Sequence, residues 1–239
     1  MGVQVSVAWT REGAYTAGED AWAVVIDVLR ATSSIGTALA GGARAVRPVD
    51  DMQTAFDWKT RDTGCLLAGE RNCRPIPGFD LGNSPSAFLA PHVRGRQVVL
   101  ATTNGSRALA SAASSGFAEV LAVSLLNLGA VAEHIVRGHP ERLRIVCAGT
   151  NGVFSIDDAY VAGALIDRLS DRTRVECDDA GMAACLLHCA SARDVPALFL
   201  KSRAGRNLLE AGLREDVLFC ARVDALNVVP RMTDGVLLL

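Results

Sequence analysis

The sequence predicts a layered α/β fold on a mostly parallel or mixed sheet. Three observations carry that expectation. Short, mainly apolar runs such as Ala23–Ile26 and Gln97–Ala101 read as strands buried on both faces. Polar turns and segments of helical length follow these runs. The strand-turn-helix unit then recurs around 23–49, 97–123 and 143–169, and such alternation places helices on both faces of one sheet.

The elements follow in order. Val3, Val5 and Val7 alternate with polar residues, as in a half-buried strand. Ala23–Ile26 runs into Asp27, and Thr32–Ser34 can cap a helix over about 34–40 that Gly41-Gly42 stops. Ala43–Val49 reads as a strand, and Asp50-Asp51 opens a helix through about Arg61. Cys65–Ala68 is a short strand that delivers Glu70 to its end. After a polar loop come the strand Gln97–Ala101, an alanine-rich helix over about 106–114 and the strand Glu119–Val123. Asn127 caps a helix that Gly138-His139-Pro140 ends, and Leu143–Cys147 is the next strand. Ser155 with Asp158 fits a capping box for a helix to about Leu169. Helices over about 179–192 and 196–212 follow, then a tail of mixed strand and loop. The triplet Thr-Asn-Gly occurs at 103–105 and 150–152, which is compatible with an internal duplication inside a single domain spanning 1–239.

At 239 residues, half of them apolar, the chain can build one large core. A net charge of −2 gives no reason to expect nucleic acid or an anionic membrane as partner. Seven cysteines in no framework spacing, and an N-terminus that reads as a strand, lead us to expect a reduced, cytoplasmic protein. Lys59 and Lys201 are the only lysines, so arginine is the cation available for anions.

The stretch AGERNCRPIPGFDLGNSP, 68–85, is the most informative segment. It holds Glu70, Asp80, Arg71, Arg74, Asn72 and Asn83 among three prolines and three glycines. That composition forbids a regular helix or central strand. A long polar loop of this kind is more often a binding or catalytic loop than a connector. Three further clusters follow apolar runs and precede helices: Asp27 to Thr32, Thr102 to Arg107, and Thr150 to Gly152. Ligands bind beyond the C-terminal ends of strands in open α/β sheets. Thr103, Asn104, Gly105 and Ser106 could cradle an anion at a helix N-terminus, with Arg107 or Arg30 as a guanidinium fork. Ordinary N-capping uses the same residue types without any ligand.

Cys65 and Arg71 have the Cys-x5-Arg spacing of cysteine-dependent phosphatases. The intervening LLAGE is apolar and strand-like, so Cys65 reads as a buried small hydrophobe instead. Cys185, His188 and Cys189 share a helix spacing but lack a fourth zinc ligand, and core packing is the simpler reading.

Four segments in order, VVIDVLRATSS, the polar loop, TTNGSRAL and CAGTNGVFSIDDAYVAGAL, resemble the 2-phosphosulfolactate phosphatase family. The resemblance runs from near the N-terminus to about residue 224. It implies a magnesium-dependent phosphoric monoester hydrolase of coenzyme M biosynthesis, with 2-phospho-3-sulfolactate as the type substrate. On this reading Asp27, Glu70 and Asp80 hold the magnesium, and Asp157 is a reserve ligand. Arg30 and Arg107 balance the phosphate charge, and Arg71 receives the sulfonate or carboxylate. Whether Asp27 is nucleophile, base or ligand stays open. DVLR lacks the second aspartate of haloacid-dehalogenase-type phosphatases, which favours direct attack by water. Two departures from the family pattern stand out: Cys73 where glycine is usual, and Val153 where arginine is usual. The rival class is a non-catalytic module that senses a phosphorylated metabolite. The expected partner is a small phosphate ester, and a homodimer stays open.

Overall fold

Strand β2 (Ala21–Ile26) shows how the layers form. Its Val24 and Ile26 join one core cluster, and its Ala23 and Val25 join another on the opposite face. A strand dry on both faces is what a continuous apolar run encodes. The computed structural model describes residues 2–12, 21–89, 91–191 and 194–239.

The other strands are β1 (Gly2–Ala8), β3 (Ala45–Val49), β4 (Leu66–Arg71), β5 (Arg74–Pro75), β6 (Gln97–Ala101), β7 (Glu119–Val123), β8 (Arg142–Cys147), β9 (Arg174–Cys177), β10 (Arg231–Thr233) and β11 (Val236–Leu238). They form one sheet in the order β5-β4-β6-β3-β11-β10-β7-β2-β8-β1-β9. Two parallel sets, β4-β6-β3 and β7-β2-β8-β1-β9, make up most of it. The antiparallel β10–β11 hairpin bridges the sets through the pairs Arg231↔Leu121 and Leu237↔Val46. Asp234 and Gly235 turn that hairpin with φ of 50° and 75°, the left-handed pair a two-residue turn requires.

Helices α1 (Ala31–Ala40) and α3 (Gly105–Ala113) cover one face across both sets, through Ile35, Leu39, Ala108 and Leu109. On the other face, α2 (Met52–Arg61) covers the smaller set, while α4 (Leu128–Gly138) and α5 (Ile156–Ser170) cover the larger. Helix α6 (Asp179–Ser191) lies so close to α5 that a Cβ on Gly163 would meet the Ala184 carbonyl at 2.0 Å. The helix expected over 196–212 is broken into α7 (Val195–Lys201) and α8 (Arg203–Glu210). Ser202 interrupts it, because its hydroxyl accepts the Gly205 N–H at 2.9 Å and caps α8. Helix α9 (Arg214–Cys220) and strand β9 have no counterpart in the sequence reading.

Three expected caps take other forms. Asp158 turns inward instead of closing a capping box with Ser155, whose hydroxyl goes to Asp157 at 2.6 Å. Thr32 and Ser33 donate back to the carbonyls of Asp27 and Val28, at 2.9 and 2.8 Å, rather than capping α1. The Asn127 side chain caps a short 3-10 turn with Ser124. The two Thr-Asn-Gly triplets also differ. Asn151 and Gly152 are left-handed, at 55° and 75°, whereas Gly105 begins α3.

Candidate active site

Asp27 follows β2 directly and is 7% exposed. Its N–H donates to the Thr32 hydroxyl at 3.2 Å, which closes the turn into α1. The carboxylate accepts the Ala31 N–H at 3.4 Å and also feels the Gly105 N–H at the start of α3. Burial raises its pKa from 3.8 to about 7; Glu70 and Asp157 push the same way, against the two N–H groups. Only glycine fits at 105, since a Cβ there would lie 2.5 Å from the Ala31 Cβ and 2.7 Å from Asp27 Oδ2.

Glu70 stands at the end of β4 and ties the polar loop to the loop after β6. Its Oε1 accepts the Thr103 N–H at 2.9 Å and the Thr103 hydroxyl at 2.8 Å, while Oε2 accepts the Cys73 N–H at 2.9 Å. β4 and β5 pair Glu70↔Pro75 and Arg71↔Arg74 around the turn residues Asn72 and Cys73, whose φ values are 52° and 64°. Both positions need a left-handed backbone, which accounts for glycine as the usual residue at 73. The Cys73 thiol packs against the core, and burial raises its pKa.

These residues share one cavity of about 80 Å³. Asp27, Arg30, Glu70, Asn83, Thr103 and Asn104 line it, joined by Thr150 and Asn151 after β8 and by α8. The C-terminal ends of β2, β4, β6 and β8 thus meet there, where an α/β sheet places its ligands.

Not every expected site residue is among them. Asp80 is exposed; it accepts the Leu67 N–H at 2.8 Å and meets Lys59 at 3.4 Å, so it anchors the loop outside the cavity. The expected carboxylate trio is therefore a pair. Arg71 reaches the carbonyls of Glu70 and Asp50, at 2.8 and 3.1 Å, and does not line the cavity. Arg107 is exposed and lies outside the lining. The expected amide cradle is largely occupied by the protein itself. The N–H groups of Thr103, Gly105 and Ser106 serve Glu70, Asp27 and the Thr102 hydroxyl. Asn104 remains, with its Oδ1 accepting the Asn151 N–H at 3.1 Å. Val153 is 45% exposed and does not line the cavity. Cys65 is fully buried, at the far end of β4 from Arg71, so the two cannot share a phosphate.

The structure adds partners around the site that the sequence reading did not place there. Asn83 lines the cavity at 4% exposure, and its Oδ1 has no hydrogen-bond partner. Arg30 is held by Asp216 at 2.5 Å, and Asp216 also accepts the Ser84 hydroxyl at 2.8 Å. Asp158 accepts the N–H groups of Val28 and Gly149, at 2.9 and 3.0 Å, locking the ends of β2 and β8 together. Burial raises the Asp158 pKa well above the usual range, with Asp157 and Asp27 adding to it. Ser84 and Asn83 fall inside the polar loop, so a signal existed for them. Asp216 is far off in sequence and carries none.

Acids thus outnumber cations here. Among the described residues the buried charged side chains are the acids Asp27, Glu70, Asp157, Asp158 and Asp216 and one arginine, Arg30, which pairs with Asp216. Among the described residues no three His, Cys, Asp or Glu side chains form a ready metal cage. What the cavity offers is the Asp27 and Glu70 carboxylates beside the unpartnered Asn83 oxygen. Also among the described residues, no single helix is long and apolar enough to cross a membrane.

The 2-phosphosulpholactate phosphatase family model matches residues 10–235. A protein of Caldanaerobacter subterraneus subsp. tengcongensis is 42% identical over 216 residues, 89% of this chain and 88% of that one. One from Thermotoga petrophila is 40% identical over 217 residues, 91% of each chain. One from a Synechococcus strain is 38% identical over 236 residues, 96% of each. All three are described as probable 2-phosphosulfolactate phosphatases. Matched along nearly its whole length, and with the motif residues Asp27, Glu70 and Thr103 gathered at one cavity, the chain belongs to the 2-phosphosulpholactate phosphatase family of phosphoric monoester hydrolases.

Proposed function

We propose that this protein hydrolyses 2-phosphosulfolactate to sulfolactate and phosphate with the help of a divalent cation, magnesium by its chemistry. The observation that carries the cation is the charge imbalance at Asp27. A buried carboxyl pushed to about 7 among like charges calls for a positive partner. The donors fit magnesium, which prefers hard oxygen ligands and needs only one or two carboxylates besides waters and substrate phosphate. Asp27 and Glu70 would hold it, and the free Asn83 oxygen is a further hard donor. Bound there, it would neutralise phosphate oxygens and polarise a water.

The chain's own residues supply positioning, the main demand of phosphoryl transfer. Arg30 lines the cavity with its guanidinium fixed by Asp216, and it has five N–H donors. Among the described residues its acceptors are Asp216 and the Cys73 carbonyl, at 2.5 and 3.4 Å, so donors remain for a phosphoryl oxygen. The Glu70 clamp on Thr103 and Cys73 fixes the cavity rim. With the Cys73 thiol raised by burial and Cys65 sealed in the core, neither sulfur is a thiolate nucleophile. Water is then the attacking group, and the proton that Asp27 holds up to about pH 7 in the metal-free cavity would be displaced when the cation binds.

The test is phosphate release from 2-phosphosulfolactate by purified protein, with magnesium and then with excess chelator. Binding of the ester without phosphate release would instead identify a sensor of the phosphorylated metabolite.

A further inference from the structure

Beside the catalytic cavity lies an outer one of about 300 Å³, lined by Asn72, Cys73, Arg74, Asn207, Glu210 and Ala211. Asn72, Cys73 and Asn207 line both, so a ligand can span them. Among the described residues, Arg30 and Arg74 are the cations on these walls. Arg30 is neutralised by Asp216 at 2.5 Å and buried. Arg74 is exposed and, among the described residues, makes no ion pair, even with Glu210 in the same cavity. It also sits directly opposite Arg71 across the Asn72–Cys73 turn. Like charges directly opposite destabilise a strand pair. Arg71 satisfies its donors on two carbonyls and offers no negative charge in return. The hairpin tip therefore carries an unneutralised guanidinium at the mouth of a phosphate-ester site.

We propose that Arg74 takes the second acid, sulfonate or carboxylate, of an ester whose phosphate lies in the inner cavity. This rests on the phosphatase reading above and moves to Arg74 the role that the sequence suggested for Arg71. Guanidinium matches the oxygen geometry of both acids with paired N–H donors. Asn207, on the shared wall, adds an amide to the same group. Glu210 repels a wrongly placed acid and sets the outer limit of the ligand's charge.

Arg74→Ala decides the matter by ratios. Calorimetry compares the binding of sulfolactate, which has both acids and no phosphate, with that of inorganic phosphate. Kinetics compares kcat/KM for 2-phosphosulfolactate with that for p-nitrophenyl phosphate, which has no second acid. Both ratios should fall about ten- to a hundredfold, the range for a charge-assisted contact. Arg74→Lys should recover part of the loss, and Glu210→Gln should strengthen sulfolactate binding. Unchanged ratios, or equal losses on both members of each pair, would overturn the assignment. If the parent protein releases no phosphate, the phosphatase reading fails, and the sulfolactate-to-phosphate binding ratio still decides for or against Arg74.

Discussion

Arg30 and Asp216 form an ion pair at 2.5 Å, with side chains 3% and 8% exposed, although 186 positions separate them in sequence. The pair fixes α9 against the turn after β2, and Ser84 of the polar loop joins through the same Asp216 oxygen at 2.8 Å. Three distant segments thus aim one guanidinium at the cavity.

Breaking that pair separates positioning from folding. Asp216→Ala leaves Arg30 buried and unpaired, which costs about 3–5 kcal/mol of stability. Asp216→Asn keeps the shape and one acceptor, so it should unfold at a lower denaturant midpoint than the parent but stay folded. Its kcat/KM should fall by roughly tenfold or more as Arg30 loses its anchor. Unchanged kcat/KM in a folded Asp216→Asn protein would leave Arg30 without a catalytic role.

Gly105 is a packing requirement of the site. Gly105→Ala drives a methyl toward the Ala31 Cβ and Asp27, so α3 or the Asp27 turn must shift. Overpacking of this kind costs about 1–3 kcal/mol. Thermal melting should show that loss, and turnover should fall with it. A melting temperature equal to the parent's would show that the approach of α3 to Asp27 is looser than described.

Asp27 gives stability a defined pH dependence in cation-free protein. Its carboxyl titrates at about 7 when folded, against an ordinary 3.8. The folded state therefore binds the extra proton between these values, and stability is lost as pH rises from about 4 to 7. Asp27→Asn removes the effect. In chelator, its stability relative to the parent should grow by roughly 2–4 kcal/mol between pH 4 and pH 8. Denaturant midpoints at the two pH values check this, and a pH-independent difference would show that Asp27 is not buried among like charges.

Cys73→Gly tests the strained turn. A non-glycine residue at a φ of 64° costs about 1 kcal/mol, while the lost thiol packing offsets part of the gain. Melting should rise slightly, and a clear fall would mean that the Cys73 side chain contributes more to the core than its backbone costs.

The strands and helices that build the layers were legible because their patterns are local. Apolar runs at Ala23–Ile26 and Gln97–Ala101 mark buried strands, and Asp51 caps α2 by accepting the Thr54 N–H at 2.8 Å. The hairpin that joins the two strand sets was harder to read. Its strands are three residues each, so Asp234-Gly235 is the main signal. For the site, Asp27, Glu70, Thr103 and Asn104 follow from lying at or just beyond strand ends. Direction of side chains is another matter. Asp80 and Arg71 belong to the same loop as Glu70 yet point to Lys59 and Asp50, because tertiary partners decide which way a loop side chain turns. Ser155 and Asp158 had the spacing of a cap, but buried amides at Val28 and Gly149 claimed the carboxylate.

The most direct measurement is phosphate release from 2-phosphosulfolactate by the parent and by Asp27→Asn, each with magnesium and with excess chelator. The account predicts turnover by the parent with magnesium alone. It also predicts a fall of roughly two or more orders of magnitude in folded Asp27→Asn. Full turnover in chelator, or near-parent turnover by Asp27→Asn, would contradict it.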